Sequence, residues 1–128
     1  NGMPAVQASD AVVTLDVYSG RPNPTWSLSG AVTTQLLRRL QALELFKGAA
    51  AEFDGLGYRA VHAELKQQAR SAAVVSASYG IVTLQQAGER FRYADPGRQF
   101  ELWLVNTGIG HVPPDVLQYV AGEIAKSR

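Results

Sequence analysis

Over residues 11–18 the chain alternates, with Val13, Leu15 and Val17 on one face and Val12, Thr14, Asp16 and Tyr18 on the other. A period of two in a β-branched stretch predicts a half-buried strand. After Ser29 the period changes to that of a helix. Val32, Leu36, Leu40 and Leu43 recur at helical spacing with Leu37 and Phe46 alongside, while Arg38, Arg39, Gln41 and Glu44 cover much of the rest. Ser29 suits the N-cap and Gly48 the stop, so a helix is expected as far as about Lys47. Alternation returns over 58–65, with Arg59, Val61, Ala63 and Leu65 on one side and Tyr58, Ala60, His62 and Glu64 on the other. Residues 73–79 and 81–85 also read as strand, and Gly80 allows them to be one strand with a bend. The 86–89 connection then returns the chain into 90–93, with aromatics inward and Arg90 and Arg92 outward.

Past Asp95-Pro96 the texture is helical again. Asp is a good N-cap and Pro suits the first helical position. Phe100, Trp103 and Leu104 fall at helical spacing, which favours a helix there over the competing strand assignment across 100–105. Pro113-Pro114-Asp115 opens a last helix with Val116, Leu117, Val120 and Ile124 as its apolar stripe. Strands and helices are segregated, so the expected class is α+β: one antiparallel sheet of about four strands with about three helices packed mainly on one face. Residues 1–10 read as a flexible leader and 11–128 as a single domain. Residues 49–57 read as a linker anchored by Phe53, and 66–71 as a polar turn.

Composition narrows the partners. A chain of 128 residues with 46% hydrophobic and 18% charged residues is an ordinary globular domain. A formal net charge of +1 with scattered basic residues argues against nucleic acid as the partner, so a protein or a small polar ligand is expected instead. The absence of cysteine excludes disulfides and thiolate chemistry. No apolar run approaches the roughly 18 residues of a membrane span. The chain opens on Asn1 rather than Met, and a small polar leader of this kind suits an exported bacterial protein, periplasmic or secreted.

The densest polar chemistry lies in Asp16-Val17-Tyr18-Ser19-Gly20-Arg21-Pro22-Asn23-Pro24-Thr25-Trp26. Gly20 supplies a turn, and Pro22 and Pro24 hold Arg21 and Asn23 extended, so the loop is stiff. Tyr18, Arg21, Asn23 and Trp26 are therefore candidate ligand contacts. The structural alternative bonds Arg21 to backbone carbonyls or to Asp16 and uses Trp26 as an anchor. His62 and Glu64, two apart on one strand face, form a second candidate, a His–carboxylate pair for proton transfer. On that face Glu64 has an alternative use in pairing with Arg90 or Arg92 across strands. His111, in a Gly-rich turn before two prolines, reads as a linker residue. No serine sits in a nucleophile elbow, no glycine run makes a phosphate loop, and no acidic or histidine cluster has metal spacing. Neither a cofactor nor a metal is expected. A binding or interaction domain using loop 19–26 is the leading expectation, with a small hydrolase around His62 and Glu64 and a passive structural or surface protein as alternatives.

The segment from Asp16 to Trp26 resembles one found in small uncharacterised bacterial proteins, and Pro96-Gly97-Arg98 through Trp103-Leu104 to Thr107-Gly108 is similar to a second segment of them. The resemblance implies that both segments belong to one domain type in an exported bacterial setting. It carries no activity and hence no catalytic residue.

Overall fold

The computed structural model describes residues 8–48, 57–67 and 72–127, and everything below concerns those. Six antiparallel strands form one sheet in the order β2-β1-β3-β4-β5-β6: β1 Asp10–Asp16, β2 Thr25–Leu28, β3 Ala60–Lys66, β4 Ala73–Ser78, β5 Ile81–Gln86 and β6 Glu89–Ala94. Three helices accompany it, α1 Gly30–Gln41, α2 Gln99–Asn106 and α3 Pro114–Ala125. The α+β class and the single antiparallel sheet match the sequence expectation, but the strand count is six rather than about four.

The strand faces follow the alternation. Val13, Leu15, Val61, Ala63, Leu65, Val75, Val82, Leu84 and Tyr93 are buried on one face. On that face α1 packs against β1 and β2, α2 packs against β3 and β4, and α3 packs on α2. Among the described residues no helix lies on the opposite face. Across it the register aligns Thr25, Thr14, His62, Ser76, Thr83 and Arg92 in one row, one side chain per strand.

Several local expectations change. The bent strand at Gly80 is two strands, because Tyr79 and Gly80 both adopt positive φ (50° and 85°), the geometry of a two-residue hairpin turn. The 86–89 hairpin uses the same device at Ala87 and Gly88. Residues Thr25–Leu28, read as loop, form edge strand β2, with Trp26 and Leu28 inward and Thr25 and Ser27 outward.

Helix α1 is capped as expected, with Ser29 Oγ accepting from the Val32 N–H, but it stops at Gln41 rather than near Lys47. Beyond it the chain pairs with the outer edge of β6: Phe46 N–H donates to the Arg92 carbonyl at 2.9 Å and Ala94 N–H to the Glu44 carbonyl at 2.8 Å. An unpaired strand edge offers backbone partners that outweigh further helical turns. Tyr58 precedes β3 and turns into the core, so it does not share the His62 face. The stretch 96–107 is helical at its α2 part, as favoured. Residues 1–7 of the expected leader, 49–56 of the linker with Phe53, and 68–71 of the polar turn lie outside the described residues, while Asp10 already belongs to β1.

A buried polar cluster joins the helices to the sheet. Asp95 accepts the backbone N–H groups of Phe100 and Glu101 at 2.8 and 3.0 Å, fixing the start of α2. Arg98, held at φ 54°, forms a two-bond pair with Glu101 at 2.9 and 2.7 Å, and the two side chains are 2% and 0% exposed. Tyr58 Oη donates to the same carboxylate at 2.5 Å, and the Arg98 guanidinium lies 4.4 Å from the Tyr79 ring centroid. Burial, reinforced by the charge and hydrogen bond of Glu101, pushes the Tyr58 phenol far above its ordinary pKa. Burial acts to lower the pKa of Arg98, but the bonds and charge of Glu101 outweigh it and hold the guanidinium above its usual value.

Candidate functional site

Loop 17–24 joins β1 to β2, and its shape is set from within. Asn23 Oδ1 accepts the backbone N–H groups of Val17 at 3.0 Å and Tyr18 at 2.8 Å, closing the loop on itself. Gly20 supplies the positive φ of 82° that reverses the chain. The Pro24 carbonyl accepts from Leu15 N–H at 3.0 Å, which continues the pairing of β1 with β2. Replacing Asn23 with Ala leaves both N–H groups without their acceptor, and an expected loss of about 1–3 kcal/mol in denaturant unfolding follows. Asn23→Asp keeps an acceptor oxygen and is expected to recover most of that loss.

The four loop candidates divide. Trp26 is buried in β2, and its indole Nε1–H donates to Thr107 Oγ1 at 2.9 Å. It also packs over Gly108, where a Cβ would come within 3.0 Å of the ring. The Asp16–Trp26 segment and the segment ending at Thr107-Gly108 thus meet in the fold. Asn23 Oδ1 and the Trp26 indole N–H are engaged inside the domain.

Arg21 and Tyr18 face outward. The exposed Arg21 guanidinium sits 3.8 Å from the centroid of the half-buried Tyr18 ring. It forms no hydrogen bond and no ion pair among the described residues. The structural alternative assigned Asp16 to Arg21, but Asp16 is paired with Arg59, whose Nη2 approaches Asp16 Oδ1 at 3.3 Å and the Tyr18 carbonyl at 3.5 Å.

Through Asp16 the loop runs into the uncovered sheet face. His62 Nε2 lies 3.9 Å from Asp16 Oδ2, and His62 Nδ1 shares a 2.7 Å hydrogen bond with Ser76 Oγ. The two sequence candidates, Tyr18 with Arg21 and His62, therefore lie on one continuous surface. Glu64 is exposed on the same face but does not partner His62. Nor is it placed to pair with Arg90, because β4 and β5 intervene between their strands through Val74 and Gln85. Sequence reasoning missed Ser76 as a member of this site and put Arg59 on the Val61 side, whereas Arg59 precedes β3 and its side chain reaches Asp16 beside His62. Alternation put Ser76 on a strand face, but only the register brings it opposite His62.

Ser76, His62 and Asp16 form a line of the residue types used for acyl transfer. The parts that such chemistry needs are only partly there. At 3.9 Å the Asp16 carboxylate is beyond hydrogen-bond distance of the imidazole. Ser76 lies inside a strand paired on both sides, so its neighbouring backbone N–H groups are engaged in the ladder and offer no pair for an oxyanion. His111 is exposed in the turn before α3. Among the described residues, no three His, Asp or Glu side chains group closely enough to hold a metal, and no helix is long and apolar enough to cross a membrane.

One concavity of about 410 Å³ lies away from this surface, between the end of α1 and β6, lined by residues including Glu44, Lys47 and Tyr93. The Tyr93 hydroxyl is buried without a hydrogen-bond partner among the described residues, and burial pushes its phenol pKa up. No protein-family model, curated protein or solved structure matches the chain.

Proposed function

We propose that this chain is a non-catalytic binding domain that takes an anionic group of its ligand at Arg21, with Tyr18 and the adjoining His62 face completing the contact. The observation that carries this reading is a cation with no hydrogen bond or ion pair among the described residues, in a loop that is otherwise closed on itself. Arg21 is stacked on Tyr18 between a glycine turn and two prolines, so little of its side-chain freedom remains to be lost on binding. A guanidinium in that state offers a fork of N–H donors to a carboxylate or a sulfate. Beside it, Arg59 already has Asp16, which keeps that carboxylate from competing for Arg21.

An NMR titration with galacturonate, a carboxylate-bearing monosaccharide, tests it. Amide shifts are expected at Tyr18 and Arg21 and at Arg59 and His62, and Arg21→Ala is expected to weaken binding by about tenfold, the loss of one charge-assisted contact. Shifts confined to other surfaces, or equal binding by the Ala variant, would overturn it. A second reading, hydrolysis at Ser76, has the 2.7 Å contact with His62 in its favour. Covalent labelling of Ser76 by a fluorophosphonate would carry it, and the missing oxyanion donors weigh against it.

A further inference from the structure

The uncovered face continues from the Arg21 site to the far edge of the sheet. From β1 the row passes through Thr14, His62, Ser76 and Thr83 to Arg92 on β6, with each neighbour set by the strand register. Four interstrand spacings place Arg92 about 19 Å from Thr14. Between these ends the row holds hydroxyls and an imidazole and no carboxylate.

Its charges are also unequal. Arg21, Arg90 and Arg92 are exposed and unpaired among the described residues, whereas Asp16 is held by Arg59 and Asp10 faces Lys66 in register. Among the described residues, Glu64 is the one exposed carboxylate left in the middle of the face. Arg92 ends the row on β6, and Arg21 lies past the Asp16–Arg59 pair at the β1 side of the same face, so neutral hydrogen-bonding groups along the row separate two cations and make a track rather than a point site.

We infer that this track holds an acidic polysaccharide, a chain bearing carboxylates and hydroxyls in repetition, laid across the strands from Arg21 to Arg92. The inference rests on the proposed binding role of Arg21 and extends it across the sheet. Hydroxyls of the polymer match Thr14, Ser76 and Thr83, and its carboxylates match the terminal arginines. The His62 imidazole is the one ring in the row, and the Tyr18 ring at the loop end is stacked by Arg21. A single-stranded nucleic acid relies on a succession of open rings as stacking platforms, which the row does not supply. A neutral glycan lacks the charge that the two ends are built to meet.

The experiment compares oligogalacturonates from monomer to octamer by calorimetry and NMR at low salt. Binding to the parent protein is expected to tighten by at least about tenfold once the oligomer reaches both ends, since the second contact becomes intramolecular. Amide shifts should then spread through His62, Ser76 and Thr83 to Arg92. Arg92→Gln should remove most of the gain on lengthening, and its dispersed spectrum would confirm an intact sheet. Raised salt should weaken the long oligomer more than the monomer, because more charges are engaged.

If the monomer shifts Arg21 but lengthening gains nothing, the track is overturned and the loop site stands. If the monomer leaves Arg21 unmoved, the loop reading fails and the track falls with it. Equal affinity for a thymidylate oligomer would also overturn the inference, because the face would then be selecting charge alone.

Discussion

Glu101→Ala is expected to lower stability by about 3–5 kcal/mol, the scale for removing one partner of a buried ion pair. The cause is what remains behind. Arg98 is 2% exposed, and without Glu101 its guanidinium retains, among the described residues, only Ser127 Oγ and the Tyr79 face. Tyr58 loses the acceptor for a hydroxyl that is also buried. At about 4 °C per kcal/mol for a domain of this size, a melting point lower by about 12–20 °C is expected in calorimetry. Replacing Arg98 and Glu101 together with Leu should cost less than Glu101→Ala alone, because no charge is then stranded. A double variant as unstable as the single one would show that the cluster acts through packing rather than charge.

The same cluster shapes the alkaline limb. The Tyr58 phenol is raised above its ordinary value of 10.0, so the folded state keeps a proton that the unfolded state releases. Its contribution is fully present below about pH 10 and is lost as pH rises beyond it. Tyr58→Phe should therefore flatten the decline of stability above that point.

Trp26→Ala is expected to cost about 3–5 kcal/mol, as for a large aromatic removed from a core. Here the ring ties edge strand β2 to the turn after α2 through Thr107 and Gly108. Gly108→Ala pushes a methyl to 3.0 Å from the ring, and about 1–3 kcal/mol of overpacking follows. The informative result is their coupling. In the Trp26→Ala background the added methyl meets vacated space, so Gly108→Ala should cost almost nothing or stabilise. Additive losses in urea unfolding would mean that the two segments do not press on one another.

The sequence by itself determined the parts whose causes are local. Alternation over 11–18 and 90–93 placed Leu15 and Tyr93 inside and Thr14 and Arg92 outside. Helical spacing found Leu36 and Leu40, Ser29 was legible as a cap, and the glycine and prolines around Arg21 marked a stiff loop. Those features depend on backbone geometry and period within a few residues.

What depends on distant partners was decided by the tertiary structure. Helix α1 ends early because the edge of β6, some fifty residues further along the chain, pairs with Leu45. Strand β2 exists because β1 supplies its ladder and Thr107 receives its indole, and four residues of alternation were too few to announce it. The sequence singled out Arg21 and His62 separately. Strand register brought Ser76 opposite His62, gave Asp16 to Arg59 and joined both candidates into one surface, because hydrogen-bonded pairing fixes neighbours that no local pattern encodes.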